Sequence, residues 1–341
     1  MQILTDFDLT PYNTFAVSCR AYAFCEVFDS SSLRRALDYA SAESLPVLVL
    51  GGGSNVLFSD DYPGLVIRMG IPGIELIEED GDQVQVRAGA GENWHQLVMH
   101  CLINGFYGLE NMVLIPGTTG AAPIQNIGAY GVELSRFLVN LTALEVNSGE
   151  LWTFDREACQ FGYRDSVFKH CRPGELIITS VTLQLSRTAA PETGYQALQE
   201  ELQRRQAGTE PDPLLVAQAV MAIRQSKLPD PALLPNCGSF FKNPVVDEAT
   251  CQALEGRFGE VPVFPLPEQP GYVKVPAAWL LDRAGWKGQR RGAAGVHRNQ
   301  AVVLVNYGGA TGAELLALAR DMQRSVAEEY GISLEPEVRI I

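Results

Sequence analysis

The sequence predicts an α+β protein of two or three domains. Three observations carry this reading. A strand, a helix and a buried strand follow one another over residues 23–50; the middle third is rich in strand patterns and turn signals; the last third alternates helical periodicity with short apolar runs. At 341 residues the chain exceeds the roughly 100–200 residues of one domain. Hydrophobic residues make up 46% and charged residues 19%, a composition that builds a core instead of a disordered chain.

Residues 23–28 read as a strand, 32–43 (SLRRALDYASAE) as a helix and 46–50 as a buried strand, a βαβ unit that closes on Gly51-Gly52-Gly53-Ser54-Asn55. Strands follow at 65–69, 74–78 and 83–88, separated by the turn signals Pro72-Gly73 and Gly81-Asp82. A helix is expected from about Asn93, a suitable N-cap, to Asn104, with Gly105 just past its end. Strands at 138–147, 151–154 and 175–185 complete the middle third. Thr209-Glu210-Pro211-Asp212-Pro213 reads as a linker before a helix at 214–226. Helices at 247–257, 276–284 and 312–330 then surround strands near 273–275 and 301–306, and five prolines between 262 and 276 mark a long ordered loop.

Charge narrows the function. With 26 Lys+Arg against 40 Asp+Glu the net charge is −14, which argues against a nucleic-acid partner, because phosphate recognition rests on dense basic residues. The seven cysteines form no C-x-x-C pair and no metal-ligand spacing with the four histidines, so free thiols and no metal site are expected. His95 and His100 share one predicted helix at a spacing unlike the i, i+4 of a helical metal site. The first residues lack a signal-peptide pattern and no apolar run reaches membrane-spanning length, so a soluble, cytoplasmic protein is expected.

Five segments could carry chemistry. Gly51-Gly52-Gly53-Ser54-Asn55 follows a buried strand, where glycines let backbone N–H groups close on a phosphate; Val56 excludes a dinucleotide fingerprint, and a plain tight turn is the bland reading. Residues 115–131 (IPGTTGAAPIQNIGAYG) have neither helical nor strand periodicity, and their small residues suit backbone lying against a planar ligand. Phe161-Gly162-Tyr163-Arg164-Asp165-Ser166 offers an arginine fork to a carboxylate or phosphate, or else a surface ion pair with Asp165. Ser239 lies between Gly238 and Phe240 in a segment without the G-x-S-x-G of a nucleophile elbow; it could donate a proton or simply cap a turn. Glu337, after Pro336 and read as late in a strand, points into a cleft or into solvent.

Taken in this order, GGGSN (51–55), 115–131, FGYRDS (161–166), GSFFKNP (238–244) and LEPEV (334–338) resemble the MurB family, the UDP-N-acetylenolpyruvoylglucosamine reductases of peptidoglycan precursor synthesis. The resemblance runs from Asn13 to Glu337. Gly194-Tyr195-Gln196-Ala197-Leu198 is similar to the subtype with a tyrosine-bearing capping loop. The resemblance implies an FAD-binding fold of the vanillyl-alcohol-oxidase (PCMH) type with a separate C-terminal α+β substrate-binding domain. The expected division is a small FAD-binding βαβ subdomain at 1–67 and a larger α+β one at 68–218, with the capping loop near 188–205. A substrate-binding domain at 219–330 and a C-terminal strand at 331–341 returning to the active site complete it.

The same resemblance implies bound FAD, NADPH as hydride donor, and UDP-N-acetylglucosamine enolpyruvate as the substrate reduced to UDP-N-acetylmuramate. A monomer is expected, without nucleic-acid or membrane partners. FAD would be held by Asn13, Thr14, Gly51, Gly52, Gly53, Ser54, Asn55, Pro116, Gly117, Thr118, Gly120, Ala121, Gln125, Asn126, Gly128, Ala129, Tyr130, Gly131 and Arg164. Tyr130, Tyr163, Tyr195, Arg224, Lys227, Asn243 and Gln300 would bind substrate, with Tyr195 closing over the diphosphate. Arg164 would stabilise the developing enolate, Ser239 would protonate C2, and Glu337 would assist if burial keeps it protonated. Two alternatives stand beside this reading: a flavin oxidase or dehydrogenase of the same fold acting on an alcohol, and a non-catalytic nucleotide-sugar binding module.

Overall fold

The structure is a computed structural model that describes residues 1–170, 175–205, 211–266 and 269–341. The chain divides into two units, each with its own core. The first comprises Met1–Phe7, Arg20–Gly53 and Tyr62–Ser226; the second comprises Asp8–Cys19, Ser54–Asp61 and Lys227–Ile341.

The first unit is built on two larger sheets. In the four-stranded one the order is Leu4–Asp8, Arg20–Val27, Tyr62–Met69, Val47–Leu50, with the last three mutually parallel. The expected βαβ unit is present, but Tyr62–Met69 is hydrogen-bonded between its two strands, a long-range pairing that no local pattern encodes. The helix Ser30–Ala42 starts at a capping box in which Asp29 and Ser32 satisfy each other's backbone N–H groups. Its apolar face, Leu33, Ala36, Leu37 and Ala40, packs on Ala23, Cys25, Leu65 and Ile67, which sets helical spacing against strand alternation.

The other sheet is antiparallel throughout, in the order Leu151–Asp155, Leu138–Glu145, Leu176–Ser186, Gln83–Gly89, Ile74–Asp80. The helix Trp94–Ile103, capped by the Asn93 side chain as its sequence predicts, contributes Trp94, Leu97, Val98 and Cys101 to the core under it. The helix Pro213–Lys227 contributes Val216, Ala217, Val220 and Ile223 to the same core. Two stretches are more regular than their composition suggests. Residues 119–125 form a 3-10 helix around Pro123, and Gln196–Arg205 is a helix within the stretch expected as a capping loop. Of the expected linker, Thr209 and Glu210 lie outside the described residues, as does Cys171.

In the second unit Asn236–Ser239, Val303–Asn306, Ala294–Val296 and Arg290–Arg291 form an antiparallel sheet. The helix Gly312–Tyr330 packs Leu315, Leu318, Ala319, Met322 and Val326 into the core of this unit; it opens on a Thr311–Glu314 capping box and closes on left-handed Gly331. The proline-rich stretch carries two short strands, Phe264–Pro265 and Tyr272–Lys274. The chain ends in Arg339–Ile340, which pairs parallel with Val56–Leu57. No helix among the described residues is long and apolar enough to cross a membrane.

Candidate active site

In the first unit, the strand Val47–Leu50 runs directly into the glycine turn. A Cβ added to Gly51 would stand 2.4 Å from Thr118 Oγ1, and one added to Gly52 would stand 3.0 Å from the Cα of Gly117. The two glycine-rich turns therefore pack closely, Gly51 against the Thr118 side chain and Gly52 against the Gly117 backbone, and Gly53 takes a left-handed φ of +62°. The second turn is fixed to the start of the helix Trp94–Ile103. Thr119 and Gly120 donate backbone N–H groups to the carbonyls of Glu92 and Ala90 at 2.8 and 2.9 Å, and Trp94 donates to the Gly117 carbonyl at 3.1 Å. Pro116 and Ala121 belong to this anchored turn, and Gln125 is the last residue of its 3-10 helix.

Asn126 follows, buried and in the left-handed region at φ +44°. Its amide donates to Glu133 Oε2 at 2.9 Å and to the Gly162 carbonyl at 3.1 Å, while its Oδ1 accepts from the Ser135 N–H at 2.9 Å. This one side chain ties the hairpin of Gly128–Ala129 and Val132–Glu133, with Gly131 at its turn, to the loop carrying Arg164. The loop is a tight turn: Gly162 and Asp165 exchange backbone hydrogen bonds, and Arg164 sits at φ +54°. Ser166 Oγ donates to the Ile124 carbonyl at 2.7 Å, and Lys169 Nζ to the Arg164 carbonyl at 3.1 Å.

The guanidinium of Arg164 donates from Nη2 to the Gly128 carbonyl at 2.8 Å and from Nη1 to the Asn126 carbonyl at 3.4 Å, and lies over the Tyr163 ring at 5.5 Å. Asp165 instead meets His170 at 2.7 Å, so the ion-pair reading of Arg164 and Asp165 is replaced by backbone anchoring. Tyr130 and Tyr195 form an edge-to-face pair with centroids 5.3 Å apart, and burial raises both phenol pKa values, which keeps them neutral at neutral pH. Arg224 is partly buried with Tyr130 and Arg164 as its electrostatic neighbours, none of them, among the described residues, a carboxylate. Two guanidiniums and two neutral phenols gathered in this way form a centre suited to an anion.

In the second unit Ser239 closes the strand Asn236–Ser239. Asn236 is opposite Val305 and Ser239 opposite Val303, so the strand carries one extra residue. That bulge is absorbed at Gly238, at φ +75°, and it leaves Ser239 exposed between buried Cys237 and Phe240. Buried Asn236 fixes the bulge by accepting from the Gly238 N–H at 2.9 Å and donating to the carbonyls of Pro229 and Leu234.

Glu337 lies next to this strand. Its N–H donates to the Phe240 carbonyl at 2.8 Å, and Lys242 donates to the Glu335 carbonyl at 2.9 Å. Glu337 therefore precedes the terminal strand Arg339–Ile340 instead of lying within one. Asn55 Nδ2 donates to the Glu337 carbonyl at 3.2 Å. Burial, and after it the nearby Glu337 charge, pushes the Cys237 thiol pKa well up.

The remaining candidates are dispersed through this unit. Asn13 spends its carboxamide on its own loop, with partners on Leu9 and Val17, and the Thr14 carbonyl accepts from the Asn236 N–H at 2.9 Å. Ser54 follows the glycine turn. Asn243 Oδ1 accepts from the Ala277 N–H at 3.0 Å, at the start of a helix. Gln300 lies in the turn closed by His297 and Val303, and Lys227 ends the helix Pro213–Lys227.

Comparison with known proteins decides what this arrangement belongs to. Residues 22–155 match the model of an FAD binding domain, and residues 230–341 match that of the UDP-N-acetylenolpyruvoylglucosamine reductase C-terminal domain. The UDP-N-acetylenolpyruvoylglucosamine reductase of Chromobacterium violaceum is 51% identical, with 100% of this chain and 99% of the relative covered. The chain belongs to the UDP-N-acetylenolpyruvoylglucosamine reductase (MurB) family. The reductase of Pseudomonas fluorescens is 48% identical, with 99% and 98% covered. The crystal structure of MurB from Thermus caldophilus superposes with a TM-score of 0.68 at 26% identity, covering 99% of this chain and 98% of that one. The 6-hydroxy-D-nicotine oxidase of Arthrobacter nicotinovorans shares the fold alone, with a TM-score of 0.52 at 13% identity, covering 97% of this chain and 86% of that one. The fold is thus a PCMH-type FAD-binding domain joined to a MurB C-terminal domain, and the MurB chain is an FAD-dependent oxidoreductase that uses NADPH.

Both glycine-rich turns lie within the span matched to the FAD-binding domain. Their residues fit such a group: at Gly52 backbone meets the Gly117 backbone where a Cβ would intrude, and solvent-facing Gly52 leaves its peptide open to a phosphate. No group of acidic, histidine and cysteine side chains able to hold a metal occurs among the described residues. Sequence reading did not single out Asn111 or Glu133, whose side chains reach the residues above. Asn111 is 19 and 81 positions from its two partners, and no local pattern marks either residue.

Proposed function

We propose how this MurB enzyme performs its family's reaction, the reduction of UDP-N-acetylglucosamine enolpyruvate to UDP-N-acetylmuramate in peptidoglycan precursor synthesis. When bound, FAD supplies hydride transfer between NADPH and the vinyl group of the substrate. The turns at 51–55 and 115–131 would hold it, through backbone N–H groups and small side chains.

The work of the chain is to manage charge and protons. Addition of hydride at the terminal vinyl carbon leaves negative charge at C2, delocalised into the carboxylate. Arg164 stabilises that charge with its planar, permanently cationic fork, held in place in advance by the carbonyls of Asn126 and Gly128. Arg224, Lys227, Asn243 and Gln300 bind the anionic and polar parts of the substrate, and Tyr195 closes over the diphosphate. Ser239 delivers the proton to C2. Serine is a weak acid in water, but an enolate is a strong base, and fixed geometry makes the transfer effective. Glu337, fixed beside the Ser239 strand, would assist only in its protonated form, because a second anion would oppose the enolate.

The observation that carries this reading is the anchored fork of Arg164 in a centre that Arg224 shares with Tyr130. The enzyme works in the cytoplasm, where NADPH and sugar nucleotides are supplied.

An anaerobic two-step titration tests the activity. NADPH should bleach the flavin, and the enolpyruvyl sugar nucleotide should restore its colour. Reduction by an alcohol without NADPH would indicate the oxidase alternative, and a flavin that NADPH cannot bleach would indicate a silent binding module.

A further inference from the structure

Asn111 is fully buried in a 3-10 turn of the first unit. Its side-chain NH2 donates twice, to the Tyr130 carbonyl at 2.9 Å and to the Glu192 carbonyl at 2.8 Å. Both partners are acceptors, so only the NH2 end of the carboxamide can face them. The opposite end, Oδ1, is buried without a hydrogen-bond partner among the described residues, so the group is held for its two donations and not for a balanced network.

Each carbonyl leads to a tyrosine. Tyr130 itself stands at φ +50°, a conformation that an aromatic residue rarely adopts, and the hydrogen bond to its carbonyl helps hold it there. Glu192 is three residues before Tyr195, whose own carbonyl accepts from Leu198 and Gln199 at the head of the helix Gln196–Arg205. Tyr195 is thus fixed on one side by a helix start and on the other by Asn111. The two rings that meet edge to face belong to the two segments joined by one NH2 group. The Arg136–Glu192 contact at 3.7 Å is solvent-exposed and adds little to this tether.

We propose that Asn111 is a positioning residue for substrate binding, setting the distance between Tyr130 and the Tyr195 segment so that both phenols face the sugar nucleotide together. This rests on the reading that Tyr195 contacts the substrate.

A double-mutant cycle on the FAD-loaded enzyme tests it, with KM for UDP-N-acetylglucosamine enolpyruvate as the readout and FAD content as the control for folding. Tyr195→Ala should raise KM. Asn111→Ala should raise it by about tenfold, the factor that losing one or two net hydrogen bonds amounts to. In the Tyr195→Ala background, Asn111→Ala should add less than about twofold, because the spacing it sets has lost one of its two rings. Asn111→Ser, which keeps one donor, should fall between Asn111→Ala and the parent. Unchanged KM in Tyr195→Ala would overturn the reading of Tyr195 itself. A raised KM there, with an unchanged or fully additive effect of Asn111→Ala, would overturn the positioning role alone. Loss of FAD from both Asn111 variants would also overturn it, by showing that the residue supports the fold and not the substrate.

Discussion

The backbone N–H of Glu337 donates to the carbonyl of Phe240 at 2.8 Å, which sets the carboxylate-bearing end of the chain directly beside the strand that presents Ser239. Two residues 98 positions apart in the sequence are in this way brought to neighbouring places in one unit. Asn55 reinforces the arrangement by donating to the Glu337 carbonyl, and the pairing of Arg339–Ile340 with Val56–Leu57 continues it. The residues proposed to handle the proton are therefore carried on hydrogen-bonded backbone, as catalysis by fixed geometry requires.

Replacing the fork tests the electrostatic role. In Arg164→Lys a single ammonium takes the place of two N–H donors aimed at the Gly128 and Asn126 carbonyls, so the charge remains while its direction is lost. We expect kcat to fall by about 10²–10³, in the range found when one preorganised donor is removed, with FAD content unchanged. A protein purified without flavin would instead identify Arg164 as a cofactor anchor.

Asn126→Asp should destabilise the protein by about 2–4 kcal/mol, read as a fall in Tm. It exchanges a buried amide donor for a carboxylate next to Glu133 and the Gly162 carbonyl. The loss should be smaller at low pH, where the new carboxyl is protonated and can again donate. An unchanged Tm at neutral pH would show that the hairpin and the Arg164 loop do not depend on this side chain.

Much of this was legible beforehand, and the reason differs from place to place. The Asn93 cap, the helix over 312–330 and the glycine turn are local: a few adjacent residues satisfy nearby backbone groups, and the chain records them consecutively. Arg164 was recognisable as a fork, but its setting was not, since its anchors lie 36 and 38 residues away. The strand Asn236–Ser239 gave no periodic signal, because four residues with a glycine bulge have no alternation to show. Asn111 was invisible for the plainest reason: its partners are main-chain carbonyls, which every residue has.

Buried thiols predict the alkaline limb of stability. Burial pushes the pKa of Cys19, Cys101 and Cys159 up to about 12 and that of Cys25 to about 11, from an ordinary value of 9.0. A folded state that holds its protons more tightly than the unfolded one is favoured fully below about pH 9 and loses that advantage as pH rises toward 12. Chemical denaturation midpoints should therefore be insensitive to these groups near pH 7 and fall from pH 9 upward. At pH 8 the same thiols should resist alkylation until the protein is unfolded. Rapid labelling of these cysteines in the native enzyme would contradict this burial.

The proton-transfer assignment is tested most directly by separating the two half-reactions of Ser239→Ala under anaerobic conditions. Flavin bleaching by NADPH should proceed at a rate near that of the parent enzyme, while recovery of flavin absorbance on adding UDP-N-acetylglucosamine enolpyruvate should slow by about 10²–10⁴, the contribution typical of a positioned acid. Equal slowing of both steps, or recovery at the parent rate, would contradict Ser239 as the proton donor.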